Sequence, residues 1–348
     1  MSYTVLNADL ANDKEDILTF WKTNFPRWPQ RKYTWFYKNN PYGPATCFIL
    51  KQQKQNMVIG STALFPRRVF IRGQYVMGGI TGDFAIDKKH RILGPALKLQ
   101  KTLIPAFEDD QYDFLYGYPN VHSQPVQKRA GFRILGSAVR MVKILKSYHY
   151  LIRFVKVPLL AKLLSVPVDA ILNVFAKEHR YRISKDLQAE TIKTFDNRFD
   201  KLWNKTVHNF SFIGERTSQF LKWRFVECPY NKYNIFTLKK KENDELLGYV
   251  VYYLAWNDAH IADFLAVDNT KMLDILLASF LKFSRRSGYQ TVSIVYFGNK
   301  LFMRKFEEFN FSRRADERNI VVYVNSSASF ADYVMDPNKW YFLEADND

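Results

Sequence analysis

An internal repeat constrains what this chain can fold into more than any other feature of its sequence. Residues 35–42 read WFYKNNPY and residues 223–230 read WRFVECPY, so Trp, Pro and Tyr recur at an offset of 188. Three further matches follow in the same order: Gly60 with Gly248, GDFAID at 82–87 with ADFLAVD at 262–268, and AGFR at 130–133 with FNFS at 309–312. Four ordered matches predict a duplication, and a period this long predicts two domains rather than the short repeats of a solenoid.

Hydrophobic periodicity predicts a similar order of elements in each half of the chain. In the N-terminal half it predicts a helix at 14–24, strands at 46–51, 57–65, 67–71 and 74–86, a helix at 95–107, a strand at 114–118, a helix at 124–130 and a closing strand at 133–142. In the C-terminal half it predicts strands at 234–239, 246–254 and 259–266, a helix at 271–287, a strand at 291–296, a helix at 300–309 and a strand at 320–324.

These elements predict a mixed α/β (α+β) fold of two tandem domains, each a twisted mixed sheet flanked by helices. We place the N-terminal domain at 1–145 and the C-terminal domain at 196–348. Residues 146–195 are predicted to form a basic, apolar helical connector between them.

The charge balance favours an anionic partner. The chain has 51 Lys and Arg against 34 Asp and Glu, a net charge of +17, which suits a phosphorylated cofactor, nucleic acid or an acidic membrane surface. Cys47 and Cys228 are far apart and have no neighbouring His pair, so we expect neither a disulfide framework nor a metal site. Acidic residues near the N-terminus argue against a signal peptide, and charges and prolines divide the apolar stretch 147–176, so we expect a cytoplasmic protein without a membrane span.

One stretch has the pattern of an anion site. A predicted strand ends at Ile86, a polar and basic turn follows, and Gly94-Pro95 begin a helix. Backbone N–H groups and the helix dipole attract an anion at such a helix N-terminus. Lys98 and Lys101 oppose the dipole, which makes better sense if an anion offsets their charge. A solvated turn is the alternative interpretation.

The same stretch carries a resemblance to a known family. RILGPA at 91–96 resembles the Arg/Gln-x-x-Gly-x-Gly/Ala pyrophosphate loop of the general-control-type N-acetyltransferase (GNAT) superfamily. NVHSQPVQKRAGF at 120–132 is similar to that superfamily's N-x-x-A-x-x-L-Y-x-K-x-G-F motif, with matches at Asn120, Arg129, Gly131 and Phe132. The GDFAIDKKHRILGPALKLQ stretch, the repeated Trp-Pro-Tyr element and the terminal NKWYFLEADND also resemble a bacterial tandem-GNAT group often associated with cell-envelope polysaccharide synthesis.

The resemblance implies an N-acyltransferase. It would move an acyl group from acetyl-CoA, or a related acyl-CoA, to an amine acceptor such as an amino sugar or a cell-envelope precursor. Residues implied to contact the cofactor are Ala85, Ile86, Arg91, Ile92, Leu93, Gly94, Pro95, Ala96, Asn120 and Ser123. Pro95 departs from the usual loop, because proline has no N–H to donate to a phosphate.

The residues for proton transfer are less well marked. Asp83 is the nearest carboxylate that could deprotonate an ammonium substrate, although its counterpart Asp263 favours a structural role. The resemblance implies a Tyr acid at the position of Gln127, and amides cannot act as acids. Tyr116 and Tyr118 on the adjacent strand are the candidate replacements, with core packing as the alternative.

The C-terminal half lacks the phosphate loop. AVDNTK at 266–271 has no glycine and carries an acid where the loop would lie, so phosphate should bind poorly there. We expect this half to shape the acceptor cleft. Side chains that could stack on a sugar or peptide, or else pack in the core, are Trp223, Arg224, Tyr230, Tyr252, Tyr253 and Trp256.

Two alternatives to a CoA-dependent enzyme remain open. One is a Fem-type transferase that takes an aminoacyl group from charged tRNA, and the other is a non-enzymatic binding protein with degenerate GNAT domains. The connector likewise has three interpretations: a helical strut, an amphipathic contact with a membrane surface through 146–182, or a nucleic-acid contact. The preserved loop favours acyl-CoA, and nucleic acid is the least favoured partner.

Overall fold

The computed structural model describes residues 2–25, 30–53, 57–107, 111–314 and 318–348. Its strands are β1 Tyr3–Asn7, β2 Thr46–Gln52, β3 Met57–Ile71, β4 Gln74–Ile86, β5 Phe114–Gly117, β6 Arg133–Ser137, β7 Val139–Ile144, β8 Leu187–Ile192, β9 Phe212–Gly214, β10 Tyr233–Lys240, β11 Leu246–Ala255, β12 Asp258–Ala266, β13 Thr291–Gly298, β14 Ser312–Arg314, β15 Asn319–Val324 and β16 Trp340–Phe342.

Helices cover both faces of the sheet. The α-helices are α1 Lys14–Asn24, α2 Gln30–Lys32, α3 Leu93–Lys101, α4 Leu103–Ala106, α5 Gln124–Arg129, α6 Tyr148–Val155, α7 Pro158–Val174, α8 Asn197–Thr206, α9 Ser218–Leu221, α10 Lys271–Arg286, α11 Lys300–Glu308 and α12 Ala331–Met335. The two copies of the repeated Trp-Pro-Tyr element each overlap a π-helical segment, at Tyr33–Lys38 and Lys222–Val226.

The strands form a mixed sheet with the same strand order in two places. The N-terminal run is β1-β2-β3-β4-β5-β15-β6, and the C-terminal run is β8-β10-β11-β12-β13-β7-β14. Strands β9 and β16 join the runs by linking β3 to β13. The mixed α/β class predicted from the sequence is therefore confirmed.

Each run takes one strand from the other part of the chain. Strand β15 lies between β5 and β6, with Val322 opposite Tyr116. Strand β7 lies between β13 and β14, with Met141 opposite Ile294. The prediction of one closing strand at 133–142 was wrong for this reason. The chain leaves one run at Ala138 and enters the other, so β6 and β7 have different partners.

The helix predicted at 95–107 is also divided. It begins two residues earlier, at Leu93, and is interrupted at Thr102 between α3 and α4. Pro105 lacks the N–H that would bond to the carbonyl four residues before it. At the interruption itself, the Thr102 hydroxyl donates to the Lys98 carbonyl at 3.0 Å.

The two repeated tryptophans bind each other reciprocally. The Trp35 indole N–H donates to the Trp223 carbonyl at 2.7 Å, and the Trp223 indole N–H donates to the Trp35 carbonyl at 3.0 Å. Their ring centroids are 5.5 Å apart. This pair fixes one π-helical segment against the other.

A buried ionic cluster holds the C-terminal segment between the runs. The Asp346 carboxylate accepts hydrogen bonds from Arg216 at 2.8 and 2.6 Å and from Arg67 at 3.0 Å. The Tyr116 hydroxyl donates to the Asp346 carbonyl at 3.0 Å. Because Arg67 lies on β3 and Arg216 follows β9, Asp346 ties three distant parts of the chain together.

The predicted helical connector contains α6 and α7 and ends in β8. The turn between the two helices is at Lys156, which has a left-handed backbone conformation. Within the described ranges, no helix has the length and apolar character needed to cross a bilayer.

Because the two runs exchange strands, we expect a chain that is cut in the turn between α6 and α7 to stay assembled. We expect a protein cleaved between Lys156 and Val157 to elute as one species, because β15 and β7 hold each fragment in the other's sheet. Gel filtration in native buffer measures this, with cleaved protein in concentrated urea as the control. Separation of the fragments in native buffer would contradict the strand exchange.

Candidate functional site

The candidate site lies where β4 and β5 separate. Their parallel pairing ends with Thr81 opposite Gly117. Just beyond, the register between β3 and β4 shifts, and Asp83 has a φ of 49°. Such a bulge bends a strand and interrupts its ladder. On the side of β5, the edge of β4 is therefore open beyond Thr81, and the backbone of 84–86 is available to a ligand.

A groove of about 610 Å³ extends from this opening to the first turn of α3. We call it the α3 groove. The predicted cofactor residues that line it are Ala85, Ile86, Arg91, Ile92, Leu93, Ala96, Asn120 and Ser123. Of the other two, Gly94 is exposed in the same helical turn and Pro95 is buried beneath it. The structure thus brings the two sequence motifs together around one groove.

The helix N-terminus in this groove offers fewer donors than the sequence suggested. Ile92 is extended and its N–H already donates to the His90 carbonyl at 2.8 Å. Pro95 has no N–H, so the first-turn donors are those of Leu93 and Gly94. A Cβ built on Gly94 would meet no atom within 4 Å, so the approach to these N–H groups is open.

Basic side chains flank the same turn. Lys88, Lys89 and Arg91 come directly before α3, and the Arg91 Nε donates to the Ile86 carbonyl at 2.9 Å. Lys98 is exposed, and its ammonium donates to the Tyr3 carbonyl at 2.6 Å. A phosphate group at this helix end would find positive charge and N–H donors together.

Asn120 shapes the opposite wall of the groove. Its side-chain oxygen accepts from the N–H groups of His122 and Ser123, each at 3.0 Å. This Asx-type turn leads the chain from β5 into α5, and so directs Ser123 toward the groove.

Asp83 is held in a buried ion pair. Its carboxylate accepts from the Lys32 ammonium at 2.8 Å and from the Tyr37 hydroxyl at 2.8 Å, and its carbonyl accepts from the Ser61 hydroxyl at 3.2 Å. Burial, and next the Asp83 charge, raise the pKa of Tyr37 well above its usual range. Both carboxylate oxygens of Asp83 are therefore occupied by hydrogen-bond donors.

The counterpart Asp263 has the same surroundings in the C-terminal run. Its carboxylate accepts from Arg216 at 2.9 and 3.0 Å and from the Tyr249 hydroxyl at 2.7 Å. Burial raises the pKa of Asp263 to about 6, although Arg216 acts in the opposite direction. A cation and a tyrosine thus hold an aspartate at this strand position in both runs, with or without a phosphate loop.

The two candidate tyrosines lie in different places. Tyr116 is buried, donates to the Asp346 carbonyl and lines neither the α3 groove nor the second cavity described below, so it is corrected to a core residue. Tyr118 lies one residue past the end of β5 and lines that second cavity. The Arg318 guanidinium lies 4.2 Å from the centre of the Tyr118 ring.

A second cavity, of about 530 Å³, lies between the two runs of the sheet. We call it the central cavity. Its polar and aromatic lining comes from both halves and includes Lys32, Trp35, Tyr118, Arg224, Tyr230, Tyr233, Tyr253, Arg318, Glu344 and Asp348. Tyr118 lines this cavity and Asn120 lines the α3 groove, so the segment that follows β5 contributes side chains to both spaces.

The aromatic residues proposed as a stacking surface are divided by the structure. Tyr230 and Tyr253 line the central cavity, as does Arg224. Trp223 and Tyr252 are buried in the core, which is the alternative that the sequence left open for them. Trp256 is 97% exposed at the β11–β12 turn and lines neither space.

Two carboxylates of the central cavity were missed by sequence reasoning. Glu344 accepts from the Tyr233 hydroxyl at 2.7 Å, and burial raises the pKa of its carboxyl. Burial also raises the pKa of Asp348, whose carboxylate lies against Gly82, where a Cβ would collide with it. The terminal FLEADND stretch has acids at alternate positions, which was the available signal.

The C-terminal run has no matching anion site. The Asp268 carboxylate accepts from the N–H groups of Thr270 at 2.9 Å and Met272 at 3.1 Å, at the start of α10. The Asp268 carboxylate already accepts hydrogen bonds from these N–H groups. Its negative charge would therefore repel a phosphate at this helix end.

Known proteins resemble this chain in three-dimensional structure but not in sequence. No family model matches the chain, and no curated protein matches it in sequence. A probable N-acyltransferase from Enterococcus faecalis, described as a conserved protein of unknown function, superposes with a TM-score of 0.64 at 12% identity, over 93% of this chain and 72% of that one. A GCN5-related N-acetyltransferase from Anabaena variabilis gives a TM-score of 0.63 at 13% identity, over 93% and 73%.

A third similar structure is the N-myristoyltransferase of Saccharomyces cerevisiae with bound myristoyl-CoA. Its TM-score is 0.55 at 11% identity, over 92% of this chain and 79% of that one. The chain therefore has the fold of the GCN5-related N-acetyltransferases, which confirms the fold that its motifs predicted.

The buried ion pair of Asp83 predicts that substitution of this residue strongly destabilises the protein. Asp83→Asn removes the carboxylate that is bonded to the buried Lys32 ammonium, which costs about 3–5 kcal/mol of unfolding free energy. The double variant Lys32→Met with Asp83→Asn removes both charges and should lose less. Urea unfolding of the two variants and the unaltered protein measures this. A single variant as stable as the unaltered protein would contradict the buried pair.

Proposed function

We propose that this protein is an N-acyltransferase that moves an acyl group from an acyl-CoA, with acetyl-CoA as the preferred donor, to an amine. The observation that carries the proposal is that two different spaces lie beside one strand opening, one lined by Ala85 and Ile86 and the other by Tyr118 and Asp348. The α3 groove has the donors and charge for a pyrophosphate, and the central cavity has the polar and aromatic lining for an acceptor. The likeness of the fold to acyl-CoA-dependent transferases supports the same conclusion.

The α3 groove would hold the acyl-CoA by its phosphates and its pantetheine arm. The N–H groups of Leu93 and Gly94 would bind the pyrophosphate, with Arg91 adding charge. The open edge of β4 from Ala85 to Ile86 would bind the amides of the arm as a neighbouring strand would. Bound there, the acyl-CoA supplies an activated thioester at the strand opening.

The side chains that fill the space near the strand opening favour a short acyl group. Phe65 and Asp348 both lie within 3 Å of the position that a Gly82 Cβ would take. In the part of the strands that is still paired, Leu115 lies 2.6 Å and Tyr112 3.1 Å from the position that a Gly79 Cβ would take. A long acyl chain would have to displace these side chains, whereas an acetyl group would not.

Proton transfer is assigned to cavity residues. We place Asp348 as the acceptor of the ammonium proton, because its carboxylate is at the opening, and burial favours the proton-accepting task by raising its pKa. Tyr118 is placed as the donor to the leaving thiolate. Asp83 transfers no proton in this proposal. Its bonds to Lys32 and Tyr37 hold the β4 bulge in position. Positioning of the reactants contributes up to about 7–11 kcal/mol in such reactions.

The central cavity suits an amine that also carries hydroxyl groups. Tyr230 and Tyr253 offer faces for a sugar ring, and Glu344 attracts an ammonium. Among the described residues, Arg224 Nε and Asn347 Oδ1 are buried without a hydrogen-bond partner, so polar groups of an acceptor would satisfy them. We therefore propose an amino sugar, or a cell-envelope precursor that contains one, as the acceptor of a cytoplasmic enzyme.

The tandem arrangement is part of this proposal. We propose an N-terminal GNAT-like domain at 1–145 that binds the acyl-CoA, a connector at 146–195, and a degenerate GNAT-like domain at 196–348. The second domain contributes the wall of the central cavity and, because Asp268 occupies its helix end, no second cofactor site.

Cofactor binding is tested at Gly94. We expect acetyl-CoA to bind at one site per chain, Gly94→Ala to bind normally because its methyl group meets open space, and Gly94→Trp to lose binding because its ring covers the first-turn N–H groups. Isothermal titration measures all three, with circular dichroism as a check of folding. Normal affinity in Gly94→Trp would contradict the phosphate site, and salt-sensitive tRNA binding without acetyl-CoA binding would favour a tRNA-dependent transferase.

Proton transfer is tested at Asp348. A base must be ionised to accept a proton, so the rate with saturating acceptor should fall as the pH decreases through the raised pKa of this carboxyl. Asp348→Asn should lower kcat about 10²–10⁴-fold and remove that acidic limb while leaving acetyl-CoA affinity unchanged. Asp332→Asn on the exposed surface of α12 is the matched control. An unchanged acidic limb in Asp348→Asn would remove Asp348 from this role.

A further inference from the structure

The helical hairpin of α6 and α7 contacts the rest of the protein along a narrow strip. The Ser147 N–H donates to the Asp169 carboxylate at 2.6 Å, which joins the start of α6 to α7. On α7, the buried residues are Ala161 and Ser165, which are one turn apart. Arg285 on α10 donates to the Leu172 carbonyl at 3.2 Å and fixes the hairpin to the C-terminal run.

The other side of the hairpin is an exposed apolar surface. Of the 23 large apolar side chains that are exposed among the described residues, ten lie between 154 and 175. Those more than three-fifths exposed are Phe154, Leu159, Leu163, Val166, Val174 and Phe175. A continuous apolar face of this kind marks an interaction surface in a water-soluble fold.

The charges beside this face are positive. Arg153, Lys156 and Lys162 are exposed on the hairpin itself, and Arg180 and Arg182 follow it. Of the two acidic residues in 146–182, Asp169 is half-buried and Glu178 is buried, and each is bonded within the fold. Asp169 accepts from the Ser147 N–H, and Glu178 is fully buried with Lys143 at 2.9 Å and Arg285 at 2.8 Å.

The apolar face with its positive rim favours an anionic bilayer over a second copy of the chain as its binding partner. A second copy of the chain would bring a second set of the same positive charges against Arg153, Lys156 and Lys162, which opposes association. An anionic bilayer offers apolar tails to the exposed side chains and negative headgroups to the cations at the rim. Basic helices with one apolar face bind such surfaces in this way.

The dimensions of α7 fit a position along the membrane surface. Its 17 residues span about 25 Å, which is shorter than the roughly 30 Å of a bilayer core. Lys162 and Asp169 also interrupt its apolar sequence. A helix in this position inserts its apolar side chains only to about the depth of the headgroups and upper acyl chains.

We propose that the α6–α7 hairpin is a docking surface for anionic phospholipid bilayers. The exposed apolar side chains of both helices enter the lipid, and Arg153, Lys156 and Lys162 bind the headgroups. The proposal does not depend on the acyltransferase activity.

Vesicle sedimentation of the full chain tests the docking. We expect binding to vesicles of phosphatidylcholine with phosphatidylglycerol, much weaker binding to phosphatidylcholine alone, and at least a tenfold loss between low and high salt, because screening weakens the headgroup contacts. The double variant Leu163→Glu with Val166→Glu should lose binding to both vesicle types.

The matched control is Trp256→Glu, which replaces a 97% exposed apolar side chain outside the hairpin and should bind vesicles normally. Unchanged acetyl-CoA affinity and unfolding midpoint in the hairpin variant would show that it is folded. Failure of the unaltered protein to bind anionic vesicles would overturn the proposal, and so would equal binding by the hairpin variant. A dimer in sedimentation equilibrium that the hairpin variant abolishes, without vesicle binding, would overturn it in favour of a second copy of the chain.

Discussion

The exchange of closing strands is the constraint on which the rest of this structure depends. Strand β15 completes the N-terminal run and β7 completes the C-terminal run, so neither run is complete without a strand from the other part of the chain. Each exchanged strand also contributes to a core, as Val321 does beside Leu115 and Met141 does beside Ile294. Backbone hydrogen bonds and apolar burial together fix the relative position of the two runs.

That fixed position creates the central cavity. Side chains from both runs and from the C-terminal segment can meet there only because the segment is held in place, with Asp346 bound between Arg67 and Arg216. Breaking such a buried charge cluster is costly, so the cluster holds the backbone of the segment that carries Glu344 and Asp348. The candidate site is therefore a product of the whole chain and does not belong to either half alone.

The two runs share an architecture and differ in chemistry. Both hold an aspartate at the same strand position, Asp83 or Asp263, by a buried cation and a tyrosine. Only the N-terminal run has free donors at the following helix, since Asp268 occupies that position in the other. The shared ion pairs hold the strand in place, and the unshared loop is where we propose that an anion binds. The basic hairpin between the runs adds a third surface with its own chemistry.

Short-range patterns in the sequence were enough to predict the local elements and two motifs. Helix 14–24 and strand 74–86 have the predicted bounds, and the phosphate loop and the 120–132 motif flank one groove, because periodicity and turn residues act over a few positions. Only the tertiary structure decided which strands pair, that Tyr116 is in the core, and that Glu344 and Asp348 reach the cavity. Apolar alternation specifies which face of a strand is buried but not which strand lies beside it. Contacts between residues about 200 positions apart, such as Tyr116 with Val322, depend on the packing of the whole chain.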